Sequence, residues 1–184
     1  PAEQDLRFTI KNAGRFTDSA GKLKKGEKVL IDGPFGRFYL RDGKKPLVFI
    51  AGGVGMTPFM SMLRERISAG NQQNGKITLL YGSRSFNDII FKKELDSIKA
   101  PWLKKIYLLS ETKAPKGKKQ ATAKLPKDCL PGYIDEKIIR RFVPDPAGAL
   151  FYICGPEALK NSVKKILRQL KVPRSAIFVE DFFW

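Results

Sequence analysis

Residues 46–58, PLVFIAGGVGMTP, are the stretch of this chain best suited to chemistry. An apolar run breaks on Gly52-Gly53, Gly55 follows, and Thr57-Pro58 precede a helical pattern. That order reads as strand, tight turn and helix start, the arrangement that sets backbone N–H groups and a helix N-terminus against a phosphate. A diphosphate carries two charges and must lie on bare main chain. A Cβ at Gly52, Gly53 or Gly55 would crowd its approach or forbid the positive φ of a sharp turn. Thr57 is expected to cap the helix through its hydroxyl, and Pro58 suits the first helical position. Beyond it, Phe59, Met62, Leu63 and Ile67 fall on one helical face. A glycine-rich turn that binds nothing could carry the same residues, so the other strand ends must decide.

The elements that would position this turn alternate along the chain. Strands are predicted at 47–51, 77–81, 105–109, 150–153 and 176–180, and helices at 58–69, about 87–98, about 135–142 and 156–170. In the last helix Leu159, Val163, Ile166, Leu167 and Leu170 form an apolar stripe. Alternating strands and helices imply an α/β fold: a five-stranded, doubly wound parallel sheet of Rossmann type, with ligands at the carboxyl ends of its strands. Those ends carry the glycine turn, then Ser83-Arg84, Ser110-Glu111, Cys154-Gly155-Pro156, and finally Glu180 with the terminal aromatics. Residues 1–45 read differently. Leu6, Phe8 and Ile10 alternate as in a half-buried strand, residues 28–32 make a second strand, and Gly33-Pro34-Phe35-Gly36 a turn after it. Two or three strands cannot close a barrel, so this segment is expected to be a partial antiparallel β unit, divided from the domain at 46–184.

Composition narrows the classes. The 184 residues suffice for one domain or one and a half, and 42% hydrophobic content is ordinary for a packed core. No apolar run is long enough to span a bilayer, and the N-terminus has no signal-peptide pattern. The chain does not begin with Met, which suggests a fragment or a processed product. Its net charge of +17 fits nucleic acid, an anionic membrane surface or an anionic dinucleotide. Without aromatic–basic interleaving, nucleic acid is the reading set aside. Lys113, Lys116, Lys118, Lys119, Lys124 and Lys127 crowd one long loop, either a docking surface or a solvated connection. Cys129 and Cys154 have neither metal-ligand spacing nor a disulfide context, which points to a reducing, cytosolic compartment. The absence of histidine excludes Ser-His-Asp catalysis and histidine ligation of haem or zinc within this chain.

Taken together, GGVGMTP, YGSR, CGP and a late glutamate followed by aromatics resemble the ferredoxin–NADP reductase superfamily. The nearest branch looks like the flavin-linked dehydrogenase region of NADPH oxidases and ferric reductases. LRFTIKNAGRFT and IDGPFGRF resemble the last part of that family's flavin-binding barrel, so 1–45 would be its C-terminal part and 46–184 the NAD(P)H-binding domain. The resemblance covers nearly all of the chain and implies site roles. Gly52, Gly53, Val54, Gly55, Met56, Thr57 and Pro58 would take the diphosphate and ribose. Ser83 and Arg84 would meet a 2′-phosphate, so NADPH is favoured over NADH, although a solvated arginine at a strand end would read the same. Cys154, backed by Gly155 and Pro156, would lie against the nicotinamide, its bland alternative being a small buried hydrophobe. Glu180 would stand near the ring, with Trp184, or Phe183 second, stacking on the flavin; simple core packing of these aromatics is the alternative. Phe16 and Thr17 match positions that touch the FAD diphosphate, but the upstream flavin motif is absent, so FAD would be held poorly.

The implied activity is an electron-input module, passing hydride from NADPH to FAD and feeding a haem membrane domain that reduces oxygen or ferric iron, at the cytoplasmic face of a membrane. Two rivals remain: a soluble ferredoxin- or flavodoxin-reductase-type flavoenzyme, and a non-enzymatic nucleotide- or nucleic-acid-binding module.

Overall fold

A computed structural model of the chain describes residues 6–33, 35–41, 43–70, 75–111 and 125–182. Phe183 and Trp184, the lysines at 113–124 and Pro34 lie outside the described residues.

The sheet is α/β and wholly parallel. Strands β1 (Leu47–Gly52), β2 (Ile77–Ser83), β3 (Leu103–Leu109), β4 (Cys129–Pro131), β5 (Leu150–Cys154) and β6 (Ile177–Glu180) are ordered β4-β3-β2-β1-β5-β6. It therefore has six strands where five are predicted from sequence. The extra one, β4, is three residues long and pairs Cys129 with Tyr107. A run of that length carries too little periodicity to be seen in sequence.

β1 sits at the centre, and every one of its residues is buried. Parallel sheets are covered on both faces, so their inner strands read as unbroken apolar runs, as LVFIA does here. Alternate residues go to opposite sides. Phe49, Leu79, Tyr81 and Tyr152 pack in one buried cluster with Phe59 and Leu63 of α2 (Thr57–Ser68) and Leu95 of α3 (Lys92–Ser97). Ile50, Leu80 and Ile153 pack in the other with Ile139 of α4 (Glu136–Phe142) and Val163 and Leu167 of α5 (Glu157–Gln169).

Two helices differ from expectation. In α2, Ile67 is 48% exposed, while Met60 is buried with Phe59, Met62 and Leu63. The apolar face is therefore rotated, and Arg66 is buried instead, its guanidinium 4.1 Å above the Trp102 ring and donating to the Gly75 carbonyl. The helix expected at 87–98 breaks into a 3-10 turn, Phe86–Asp88, and α3. Phe91, between them, has φ 56°, which no continuous helix allows.

Residues 6–45 form neither predicted strand. Their described part is irregular apart from a six-residue helix, α1 (Arg15–Ala20). Leu6 is 76% exposed, Phe8 63% and Leu30 100%. A strand needs a hydrogen-bonding neighbour, and no strand among the described residues pairs with this segment. The segment meets the domain chiefly through Phe38, edge-on to Phe59 and Tyr152, and through the Arg41 amide, which donates to the Tyr152 hydroxyl at 2.9 Å.

Candidate functional site

The strand order places the site. From β1 the chain winds outward through β2, β3 and β4, then returns to the other side of β1 for β5 and β6. The reversal falls between β1 and β5, and in open α/β sheets a crevice opens at the carboxyl ends of such a pair. The glycine corner after β1 and the Cys154-Gly155-Pro156 corner after β5 meet there. A Cβ on Gly155 would lie 2.9 Å from the Gly52 nitrogen, and one on Gly52 would lie 2.8 Å from Pro156 Cδ.

The glycines of the first corner divide by task. Gly55 faces the other corner: its Cβ would lie 2.7 Å from the Gly155 nitrogen and closer still to the Cys154 carbonyl. Gly52 is also needed for this packing of main chain on main chain. Gly53 alone has φ +53° and nothing within 4 Å of its missing Cβ. It is the glycine that leaves bare backbone facing outward.

Gly53 to Met56 form a 3-10 turn that runs directly into α2. The expected cap is therefore not made. Thr57 is itself helical (φ −58°, ψ −49°), the cap position is Met56, and no side chain bonds there. A 3-10 turn pairs each N–H three residues back, so the N–H groups of Gly53 and Val54 have no partner within it. Met56 is buried, and Thr57 and Pro58 are half-buried.

A cleft of about 750 Å³ crosses the strand ends. Gly52, Gly53 and Val54 form one wall, Gly82, Ser83, Arg84, Asp88 and Ile90 a second, and Pro156, Leu159 and Ser162 of the α5 start a third. Gly132, Tyr133 and Ile134, just after the unforeseen β4, close the far end, and Thr9, Ile10 and Lys11 cross it as irregular chain. The predicted Gly52, Gly53, Val54, Ser83, Arg84 and Pro156 are thus brought together.

Arg84 and Asp88 give one end of the cleft opposite charges. The Arg84 side chain is 73% exposed and stands 3.8 Å from the Asp88 carboxylate. Asp88 accepts from the Ser85 hydroxyl (2.8 Å) and the Ser85 amide (3.1 Å), which hold its carboxyl below the usual carboxylate range, helped by Arg84. In sequence Asp88 reads only as the opening of a helix. The Ser-x-x-Asp spacing of a capping box is the signal that could single it out.

Cys154 and Glu180 are adjacent in register on β5 and β6. They lie apart from the cleft. Cys154 is fully buried in the cluster of Ala51, Met56 and Tyr152, and burial with nearby Glu180 pushes its thiol up to about 12. At neutral pH it is a protonated, inert thiol. Cys129 and Cys154 are both free and buried. Burial, then the neighbouring Asp181, raises the Glu180 carboxyl above its ordinary value. A Cβ on Gly36 would come 4.0 Å from its Oε2, so the N-terminal segment passes over this side. Lys160, 5% exposed, ties the chain end down by pairing with Glu157 (2.8 Å) and Asp181.

Phe16 and Thr17 stand elsewhere. Phe16 is 84% exposed on α1, and the Thr17 hydroxyl is used locally, accepting from the Ala13 amide and donating to the Gly14 carbonyl.

A parallel sheet with a bare glycine corner at its switch point and a cleft across its strand ends has the architecture of dinucleotide-binding α/β domains. The chain belongs to the oxidoreductase NAD-binding domain family, whose sequence profile matches residues 49–165. It is 33% identical over 165 residues, 87% of its length, to a component of the Na(+)-translocating NADH-quinone reductase of Methylococcus capsulatus, covering 38% of that protein. It is 32% identical to the corresponding component from Pseudomonas aeruginosa, over 92% of this chain and 40% of that protein. The chain thus spans about two fifths of the length of these curated relatives. Among solved structures, the CS-b5R domains of human Ncb5or superpose over 97% of this chain and 50% of that one at TM-score 0.75 and 21% identity. A ferredoxin NADP+ reductase from Neisseria gonorrhoeae, with bound FAD and NADP, covers 95% of this chain and 72% of that one at TM-score 0.72 and 18% identity. At such identities these structures establish a shared fold. The sequence relatives are quinone-reductase components, so the narrower resemblance to NADPH oxidases and ferric reductases is not upheld by them.

Proposed function

We propose that this chain is the pyridine-nucleotide-binding module of a flavin-linked oxidoreductase. It would bind NADH or NADPH across the strand ends and present the nicotinamide ring for hydride transfer. The observation that carries this is Gly53, a positive-φ glycine at the switch point with open space in place of its Cβ, on the wall of a 750 Å³ cleft. A nucleotide diphosphate fits there because bare N–H groups at a helical start are its usual partners. Gly53 and Val54 would hold the diphosphate, and Ser83, Arg84 and Asp88 the adenosine ribose. The nicotinamide, which supplies the transferable hydride when the nucleotide is bound, would lie toward the Cys154–Glu180 side.

Gly155 would act there by allowing close approach of the ring, with Cys154 packed in the core behind it. Lys160 holds Asp181 and so fixes the chain just after β6.

For the nucleotide itself we favour NADH. The fixed, ionised Asp88 suits a ribose diol better than a 2′-phosphate, and the relatives are named for NADH. Exposed Arg84, only loosely held, is the observation that favours NADPH as a second reading. The family's flavin chemistry makes a flavin the acceptor class, and residues 6–45 would be what this chain contributes beside it. The haem-bearing membrane partner expected from the oxidase resemblance gains no support from the relatives. No helix among the described residues is long and apolar enough to cross a membrane. A place in a Na(+)-translocating complex would follow from the relatives' names.

The test is calorimetric titration with NADH, NADPH and a DNA duplex at two salt concentrations. Saturable dinucleotide binding that survives raised salt supports the reading. Binding of DNA alone, collapsing with salt, would replace it with the nucleic-acid alternative.

A further inference from the structure

Tyr81 is fully buried beneath the cleft, paired in register with Ala51 on the neighbouring strand. It is not among the residues that line the cleft, yet its hydroxyl touches two that do. It donates to the Gly53 carbonyl at 3.1 Å and accepts from the Ile90 amide at 3.2 Å. Gly53 belongs to the glycine corner, and Ile90 to the segment that carries Ser85 and Asp88. One phenol therefore ties the two long walls of the cleft together from below.

The geometry of the peptide bond gives this contact a consequence. In a trans peptide the carbonyl and the following N–H point in opposite directions. Fastening the Gly53 carbonyl downward on Tyr81 turns the Val54 N–H away from the core, on the wall where Gly53 and Val54 face the cleft. Gly53 has no side chain to hold that peptide in place, and its backbone is freer than that of any other residue type. The Tyr81 hydroxyl adds a side-chain restraint to the backbone bonds of the 3-10 turn. Burial pushes its ionisation up to about 12, so it remains a neutral donor throughout the physiological range.

Resting on the reading of the cleft as a dinucleotide site, we infer that Tyr81 is a positioning residue for the diphosphate. Its hydroxyl orients the Gly53–Val54 peptide toward the anion and holds the 85–91 segment at the matching distance. Nothing in its own burial requires the hydroxyl. Tyr107, the adjacent buried tyrosine with its ring 6.2 Å away, has a hydroxyl with no hydrogen-bond partner among the described residues.

That neighbour provides the control. Tyr81→Phe and Tyr107→Phe each remove one buried hydroxyl from the same cluster. NADH and ADP-ribose would be titrated calorimetrically into both variants and the unaltered chain, with melting temperatures and amide exchange at Val54 and Ile90 followed without ligand. Tyr81→Phe is expected to weaken both ligands about tenfold and to speed exchange at the Ile90 amide, whose N–H donates to the hydroxyl removed. Tyr107→Phe should leave affinity and exchange unchanged. Affinity in Tyr81→Phe equal to that of the unaltered chain overturns the inference while leaving the dinucleotide reading intact. So does an equal loss in both variants, which would mark a packing effect. Failure of the unaltered chain to bind either ligand overturns the dinucleotide reading and, with it, this inference. Faster exchange with no loss of affinity would mark the contact as structural only, and also counts against it.

Discussion

Gly53 and Gly55 are two residues apart, and a methyl group on each should do opposite things. At Gly55 the Cβ would lie 2.7 Å from the Gly155 nitrogen and nearer still to the Cys154 carbonyl, both main-chain atoms that cannot swing aside. Relief requires the β1 and β5 corners to part, and overpacking of this kind costs about 3 kcal/mol or more. At Gly53 the Cβ meets nothing within 4 Å, and the only penalty is an alanine held at φ +53°. That is about 1 kcal/mol, partly offset by the lower entropy of the unfolded chain. In a domain of this size, melting temperature should fall roughly 10 °C for Gly55→Ala and about 3 °C for Gly53→Ala. The order reverses for ligand. The Gly53 methyl projects where the diphosphate would lie, and losing one or two charge-assisted bonds of about 2 kcal/mol each weakens binding at least tenfold. Thermal melts and calorimetric titration with NADH read both quantities on the same samples. Wild-type affinity in Gly53→Ala would refute the assignment of the phosphate to this corner. Near-wild-type stability in Gly55→Ala would refute the account of how the corners pack.

Three further outcomes follow from named contacts. Asp88→Asn removes a fixed negative charge beside Arg84 and should move the NADH:NADPH affinity ratio about fivefold toward NADPH, one unit charge a few ångströms away being worth about 1 kcal/mol in a solvated cleft. Arg84→Ala should move the ratio the other way, and parallel titrations check both. Lys160→Met keeps the aliphatic stem but leaves Glu157 and Asp181 uncompensated; loss of about 1–2 kcal/mol in urea unfolding, with faster amide exchange at residues 179–182, is expected. Cys154 sets a pH limit. Its thiol ionises at about 12 in the fold against an ordinary 9, so the folded state holds the proton more tightly and stability is fully present below pH 9. As pH rises above 9 that contribution falls by about 1 kcal/mol per pH unit until the folded value is reached. Urea unfolding from pH 8 to 10 should show the decline, and Cys154→Ala should reduce it, the buried Cys129 thiol, also raised, supplying the remainder.

Much of the architecture was legible because it rests on local pattern. The unbroken LVFIA run, the stripe of Val163 and Leu167 and the alternation of strands and helices each need only their own neighbourhood to be recognised, and all stand in the fold. Where tertiary contacts decide, the pattern misled. Leu6, Phe8 and Ile10 alternate as a strand would, but alternation does not supply a partner strand, and they remain exposed. Ile67 lost its buried place to Met60 because α2 is seated by Phe49, with its ring centroid 4.8 Å from that of Phe59. Thr57 looked like a cap because Thr-Pro at a helix start usually is one. The 3-10 turn before it moved the helical start back to Gly53.

Sequence alone determined that glycines, a serine–arginine pair and a Cys-Gly-Pro corner would stand at strand ends, because strand ends are written in local breaks of periodicity. Only the tertiary structure decided which glycine meets solvent and which meets another backbone, that Cys154 is sealed from the cleft, that Asp88 lines it, and that the buried Tyr81 hydroxyl bonds two of its walls. Those facts depend on strand order and on atoms brought within a few ångströms from distant parts of the chain, and no local pattern encodes them.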